Sequence, residues 1–199
     1  MMIPLRVVVV LAVAMLAGCG TSPKASYYTL TRDPLPKPAM TAAATATPYT
    51  IAIAPVTVPD VVDRPQFVTR AGLNQVTINE FARWGEPLKG EIARVMAADL
   101  AQELDGAFVS IYPQSAGGNA DVRLQLDVRR FDSALGESAT VEVAWTIRPL
   151  KGAAVNGRSF VRETPAGAGY DALVAAHSRA LAGVSRDIAT AVKTLRSTQ

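Results

Sequence analysis

Cysteine is nearly absent from this chain. Cys19 is the one thiol in 199 residues. A lone cysteine makes no intrachain disulfide and supplies at most one ligand to a zinc site, which usually needs four. Histidine is as scarce, with His177 alone. No G-x-S-x-G turn prepares a nucleophile and no H-E-x-x-H helix pairs metal ligands. Aromatic residues are few, at 6%. Strong charge of one sign is missing too: 20 basic against 17 acidic side chains give +3. That balance argues against a nucleic-acid partner, which calls for a pronounced basic patch. No apolar run is long enough to cross a bilayer. The longest, Val7–Ala17, is about 16 Å as a helix, against a hydrocarbon core of about 30 Å.

That short run explains the cysteine. Arg6 precedes it, and Leu16-Ala17-Gly18-Cys19 follows. A basic start, a short apolar stretch and small residues describe a secretory signal peptide. The ending resembles the bacterial lipobox, in which a peptidase cuts before a cysteine that already carries diacylglycerol. Residues 1–18 are therefore expected to be a signal peptide and Cys19 the lipidated first residue of the mature chain. Gly20, where an aspartate would favour the inner membrane, points to the outer membrane. Cleavage removes one basic residue and leaves a charge of about +2.

Residues 19–48 read as a tether, with prolines at 23, 34, 36, 38 and 48 and the run TAAATAT. Within it, Tyr27-Tyr28-Thr29-Leu30 is expected to be an edge strand or a plug on the domain. Residues 49–199 are expected to form one domain. The stretch from Tyr49 reads as a central strand, apolar on both faces. A hairpin follows around Ala71–Asn74. A helix starts at Leu88, with apolar positions 88, 92, 95, 96, 100 and 104, and stops at Gly106. After a strand near 107–112, two long strands alternate cleanly. Val122, Leu124, Leu126 and Val128 share one face; Val141, Val143, Trp145 and Ile147 share another. A last strand near 159–164 precedes a C-terminal helix over about 170–195. The expected class is α+β: two layers, with a mixed or antiparallel sheet and two helices packed on one face.

His177 falls on the apolar stripe of that last helix, where packing is the expected role. Gly167-Ala168-Gly169-Tyr170-Asp171-Ala172 matches a dinucleotide fingerprint by letter only. The helix it opens runs to the C-terminus, with no following strand to carry the ribose-binding acid. No cofactor or metal site is expected, and no enzymatic activity. The unusual surface content lies in VPDVVDRPQFVTR and FARWGEPL. Asp63, Arg64, Pro65, Arg83, Trp84 and Glu86 are the candidate partner-interface residues. Trp84 beside an arginine suits an interface anchor. It also suits packing beneath the helix start, with Glu86 paired to Arg64 or Arg83.

The lipobox, YYTL, Asp63-Arg64-Pro65, Arg83-Trp84 and Glu86-Pro87-Leu88, with the C-terminal helix, resemble the PqiC-like ABC-type transport auxiliary lipoproteins. Gly85 departs from the pattern, which commonly has alanine there. The resemblance implies an outer-membrane lipoprotein facing the periplasm. It would dock the end of a PqiB-like MCE-domain tunnel protein, itself joined to inner-membrane components, in lipid transport between the membranes. Several copies in a homo-oligomeric ring would leave a passage at the tunnel end. Two other readings compete: a periplasmic lipid-binding shuttle, which needs an apolar cavity, and an envelope hydrolase, which needs His177.

Overall fold

The structure is a computed structural model that describes residues 23–32, 48–105, 107–113 and 119–198. The signal segment, Cys19, the TAAATAT run and the expected helix stop Gly106 lie outside the described residues. The elements are β1 (Ser26–Tyr28), β2 (Tyr49–Ile53), β3 (Gln66–Arg70), β4 (Val76–Trp84), α1 (Leu88–Glu103), β5 (Ala107–Ile111), β6 (Val122–Ala134), β7 (Ser138–Pro149), β8 (Val155–Glu163) and α2 (Tyr170–Ser197).

The class is α+β, as the pattern of the sequence implies. The strands divide between two sheets rather than joining in one. The larger has the order β5-β2-β6-β7-β8 and the smaller β1-β4-β3. β6 pairs in parallel with β2 on one edge and antiparallel with β7 on the other. Both its edges are thus occupied, and the β3–β4 hairpin takes β1 as its lateral partner instead. β2 lies between β5 and β6, the central place its two apolar faces require.

Both helices cover one face of the larger sheet: α2 lies over β7 and β8, and α1 lies beside α2 and over β5. The expected face of α1 is the buried one, with Leu88, Ile92, Val95, Met96, Leu100 and Leu104 in the core. On α2 the expected stripe of Val174, His177, Leu181, Val184, Ile188, Ala191 and Leu195 is buried as far as Ile188 and half-buried at Ala191 and Leu195, and the buried face is wider, because Leu173, Ala176, Ala180, Ala189 and Val192 join it. Small residues let the helix approach closely. A Cβ at Gly183 would lie 3.1 Å from Val161 of β8.

The alternation of β6 holds from Val122 to Val128 and then changes phase. A bulge between Val128 and Arg130 turns Phe131 and Ser133 inward. Phe131 thereby reaches an aromatic chain that ties the smaller sheet to α2. Phe67 of β3 stacks on Trp84 of β4 at 4.4 Å, Trp84 meets Phe131 edge-on at 6.0 Å, and Phe131 stacks on His177 at 4.0 Å.

Candidate functional site

β1 runs parallel to β4, with Ser26 opposite Ala82 and Tyr28 opposite Trp84. The YYTL segment is therefore an edge strand. The residues that follow it are fastened by groups that periodicity does not single out. The Leu30 side chain is buried, and its backbone N–H donates to Glu91 Oε2 at 3.0 Å. Arg94 Nη2 donates to the Leu30 carbonyl at 3.0 Å and also pairs with Glu91 Oε2. Glu91 sits in the first turn of α1, wholly buried. A carboxylate there faces the positive end of the helix dipole. Gly85 N–H donates to the Tyr28 carbonyl at 2.8 Å. A Cβ at Gly85 would lie 2.8 Å from Thr29 Cγ2, so an alanine there requires the docked segment to shift.

Beside this latch, at the start of α1, is a cleft of about 270 Å³ lined by Asp63, Arg64, Pro65, Trp84 and Gly85–Leu88. Two turns build its walls. Val62 N–H donates to the Pro59 carbonyl and Arg64 N–H to the Val62 carbonyl, so the chain folds back before Pro65. Trp84 N–H then donates to the Pro65 carbonyl at 2.8 Å, joining the two wall segments. Pro87 precedes the first helical residue with φ −53°, a value its ring imposes. Lys89 Nζ meets Asp63 Oδ2 at 2.6 Å, tying the first turn of α1 to the wall segment before Pro65.

Five of the six residues singled out in the sequence thus come together. Arg83 does not. Its guanidinium turns back along β4, Nε donating to the Glu80 carbonyl at 2.9 Å and Nη2 pairing with Glu80 Oε2 at 3.3 Å. The expected pairing of Glu86 with Arg64 or Arg83 is replaced by the Arg83–Glu80 and Lys89–Asp63 pairs. Glu86 is exposed. Trp84 is only 5% exposed, its ring stacked on Phe67, so it forms the inner wall of the cleft rather than a projecting anchor. Arg64 Nε is buried in the cleft with no hydrogen-bond partner, and such a donor costs free energy until something accepts from it.

His177 is wholly buried. Its Nε2 lies 2.8 Å from Ser133 Oγ, within the reach of a nucleophile–base pair. Its Nδ1 has no partner, so no third group orients the ring. Burial pushes its pKa down to about 3. Ser133 is buried as well, and neither residue lines the cleft beside α1 or the grooves at β5 and at the β6–β7 turn. The turn at 167–172 is a helix entry, with Gly169 at φ 95° before the first residue of α2. Among the described residues no three His, Cys, Asp or Glu side chains group as metal ligands, and no helix is long and apolar enough to cross a membrane. An open groove of about 610 Å³ lies between β5, the adjoining β2 and α1, lined by Phe108, Val109 and Ile111 with Thr50, Ala52 and Ala97.

Comparison with known proteins places this geometry in a class. The fold is shared by a crystal structure of an uncharacterized protein, 20% identical, with a TM-score of 0.71 over 85% of this chain and 99% of that one. It is also shared by a Xanthomonas campestris protein assigned to a family of unknown function. That protein is 20% identical, with a TM-score of 0.67 over 88% of this chain and 99% of that one. No curated protein matches. The chain belongs to the ABC-type transport auxiliary lipoprotein component family, which matches residues 28–189. That span begins in β1 and includes the latch and the whole cleft. The chain is thus a lipoprotein component of a transport system.

Proposed function

We propose that this chain is an outer-membrane lipoprotein, anchored through acylated Cys19 and facing the periplasm. In this reading it receives the end of a PqiB-like MCE-domain tunnel protein in a system that moves lipid between the membranes. It acts by binding and not by catalysis. The observation that carries the reading is the cleft beside α1. It gathers Asp63, Arg64, Pro65, Trp84 and Glu86 in one surface and holds an arginine donor with nothing to accept from it. A partner carboxylate or carbonyl that draws the Arg64 guanidinium outward would satisfy that donor, and Pro65, Pro87 and Trp84 offer apolar contact beside it. Membership of a transport auxiliary family supports a partner of this kind.

Copies arranged in a ring fit the task, because one small domain offers a patch and not an opening. Head-to-tail contacts that close generate such rings. Several anchors would also hold the assembly to the membrane by multivalency.

The test is binding of the full-length lipidated protein, in detergent, to the MCE-domain tunnel protein. Arg64→Glu and Glu86→Lys are expected to weaken it at least tenfold with unchanged thermal stability, roughly the effect of a lost charge-assisted contact. Unaltered binding by both variants would remove the cleft from the interface. Stoichiometric lipid carried along the β5 groove, with no tunnel binding, would favour the shuttle instead.

A further inference from the structure

Two turns project at one end of the molecule, the β3–β4 turn and the β6–β7 turn. Arg70, at the end of β3, pairs with Asp132 of β6 at 3.0 Å, so the two turns lie side by side. Each carries a leucine into solvent: Leu73 is 93% exposed and Leu135 45%. Val76 and Ile78, on the adjoining start of β4, are also exposed. Between the turns is a groove of about 670 Å³ lined by Arg70, Arg130 and Arg162, with Asp132 and Glu137. Asp132 is shared by two guanidiniums, Arg70 at 3.0 Å and Arg130 at 3.2 Å. The groove therefore holds three positive charges against two negative ones, beneath apolar tips. Apolar side chains that enter a headgroup layer, with arginines at the phosphate level, are the ordinary chemistry of a lipid-surface contact.

The path of the N-terminal segment leads to the same end. β1 is parallel to β4, so the chain enters β1 from the side on which β4 begins, the side of the β3–β4 turn. Ser26 lies opposite Ala82, and β4 starts at Val76, about 20 Å nearer the turn at strand spacing. Cys19 precedes Ser26 by seven residues, which reach at most about 25 Å. An acyl group on Cys19 can therefore stand level with Leu73 in the same bilayer.

We infer that the end carrying Leu73, Leu135 and the Arg70–Arg130–Arg162 groove is the membrane-facing end, seated on a phospholipid surface and fixing the domain's orientation. The inference rests on Cys19 as the lipid anchor. The β7–β8 turn lies at the other end of β7, about 40 Å away at strand spacing, and points from the membrane.

The experiment uses the full-length protein, purified from membranes and reconstituted in vesicles of phosphatidylethanolamine and phosphatidylglycerol. Leu73→Cys, Leu135→Cys and, as the distal control, Ala153→Cys each carry an environment-sensitive fluorophore. Quenchers are attached at the lipid headgroup. Quenching at 73 and 135 several-fold above that at 153 is the expected result, and it should decline when phosphatidylglycerol is omitted. Equal or negligible quenching at all three sites, in protein that still floats with the vesicles, would overturn the orientation while leaving the anchor intact. Shielding of 73 and 135 that appears only when a protein partner is added would overturn it as well. Labelling of Cys19 in the unsubstituted protein, together with failure to float, would show that the anchor itself is wrong, and the orientation falls with it.

Discussion

Leu30 and Glu91 are 61 residues apart, and a 3.0 Å hydrogen bond from the Leu30 N–H to the buried Glu91 carboxylate joins the N-terminal segment to the first turn of α1. Residues 26–30 are thereby joined to α1, whose start forms one wall of the proposed docking cleft.

Glu91→Ala should release this latch. It leaves the Leu30 N–H without its acceptor and removes the ion pair that steadies Arg94 against the Leu30 carbonyl, at a cost of about 1–3 kcal/mol. Hydrogen exchange should show protection lost in residues 26–31 before the β6–β7 hairpin opens. Glu91→Gln keeps an acceptor and should lose less. Equal protection in all three proteins would show that burial of Leu30 alone holds the segment.

The buried histidine sets a pH dependence. Its ordinary pKa is 6.5, and burial brings it down to about 3 in the folded chain. Between those values the unfolded chain binds a proton that the folded chain refuses. Stability from this source is complete above pH 6.5 and is lost as pH falls toward 3, by at most about 1.4 kcal/mol per pH unit. His177→Gln should flatten the acid limb of a urea-midpoint profile, since Gln does not titrate, and should leave transport intact. Parallel profiles would assign the acid limb to other groups, and transport lost at unchanged stability would reopen the Ser133–His177 pair as a catalytic dyad.

Gly157→Ala should destabilise the β7–β8 ribbon. The Trp145 indole lies across Gly157, and a Cβ there would stand 2.1 Å from Trp145 Cζ2. The ring must move and give up its Nε1 bond to Ser159 Oγ. Overpacking of this kind costs about 1–3 kcal/mol. Thermal denaturation of Gly157→Ala alone and with Trp145→Phe measures it; a cost unchanged by the smaller ring would place the strain elsewhere.

Cys19→Ser should release the protein from the membrane without altering its melting temperature, because the core assembles from Leu30 onward. Mass spectrometry of the unsubstituted protein should find acyl chains on Cys19. An unmodified mature chain that begins elsewhere would contradict this.

Much of the fold is legible because burial in α1 and the first half of β6 repeats with the period of the element, and β2 is apolar on both faces, as a central strand requires. What periodicity hides is set by contacts between distant segments. The bulge after Val128 reverses which residues of β6 face inward, so extrapolated alternation places Ser133 on the wrong face and gives no hint of its contact with His177. Glu91 lies among apolar positions of α1, where Arg94 three residues on is a visible partner, but the Leu30 N–H that also binds its carboxylate comes from 61 residues away. Of the cleft, the local motifs Asp63-Arg64-Pro65 and Trp84–Leu88 are visible as unusual surface content. The outward turn of Arg83 is not, because Glu80 is three residues away on its own strand and competes with Glu86.

In the proposed function, the cleft beside α1 receives the tunnel protein. Its most direct test is a photo-crosslinking amino acid at position 86, in cells carrying the lipidated protein and its MCE partner. Glu86 is exposed at the cleft mouth, so the substitution leaves the core undisturbed. The expected result is a crosslink to the MCE-domain protein that is lost when the probe is moved to Ala153 and reduced by Arg64→Glu. Crosslinks to other copies of this chain alone, or an MCE crosslink of equal strength from both positions, would contradict it.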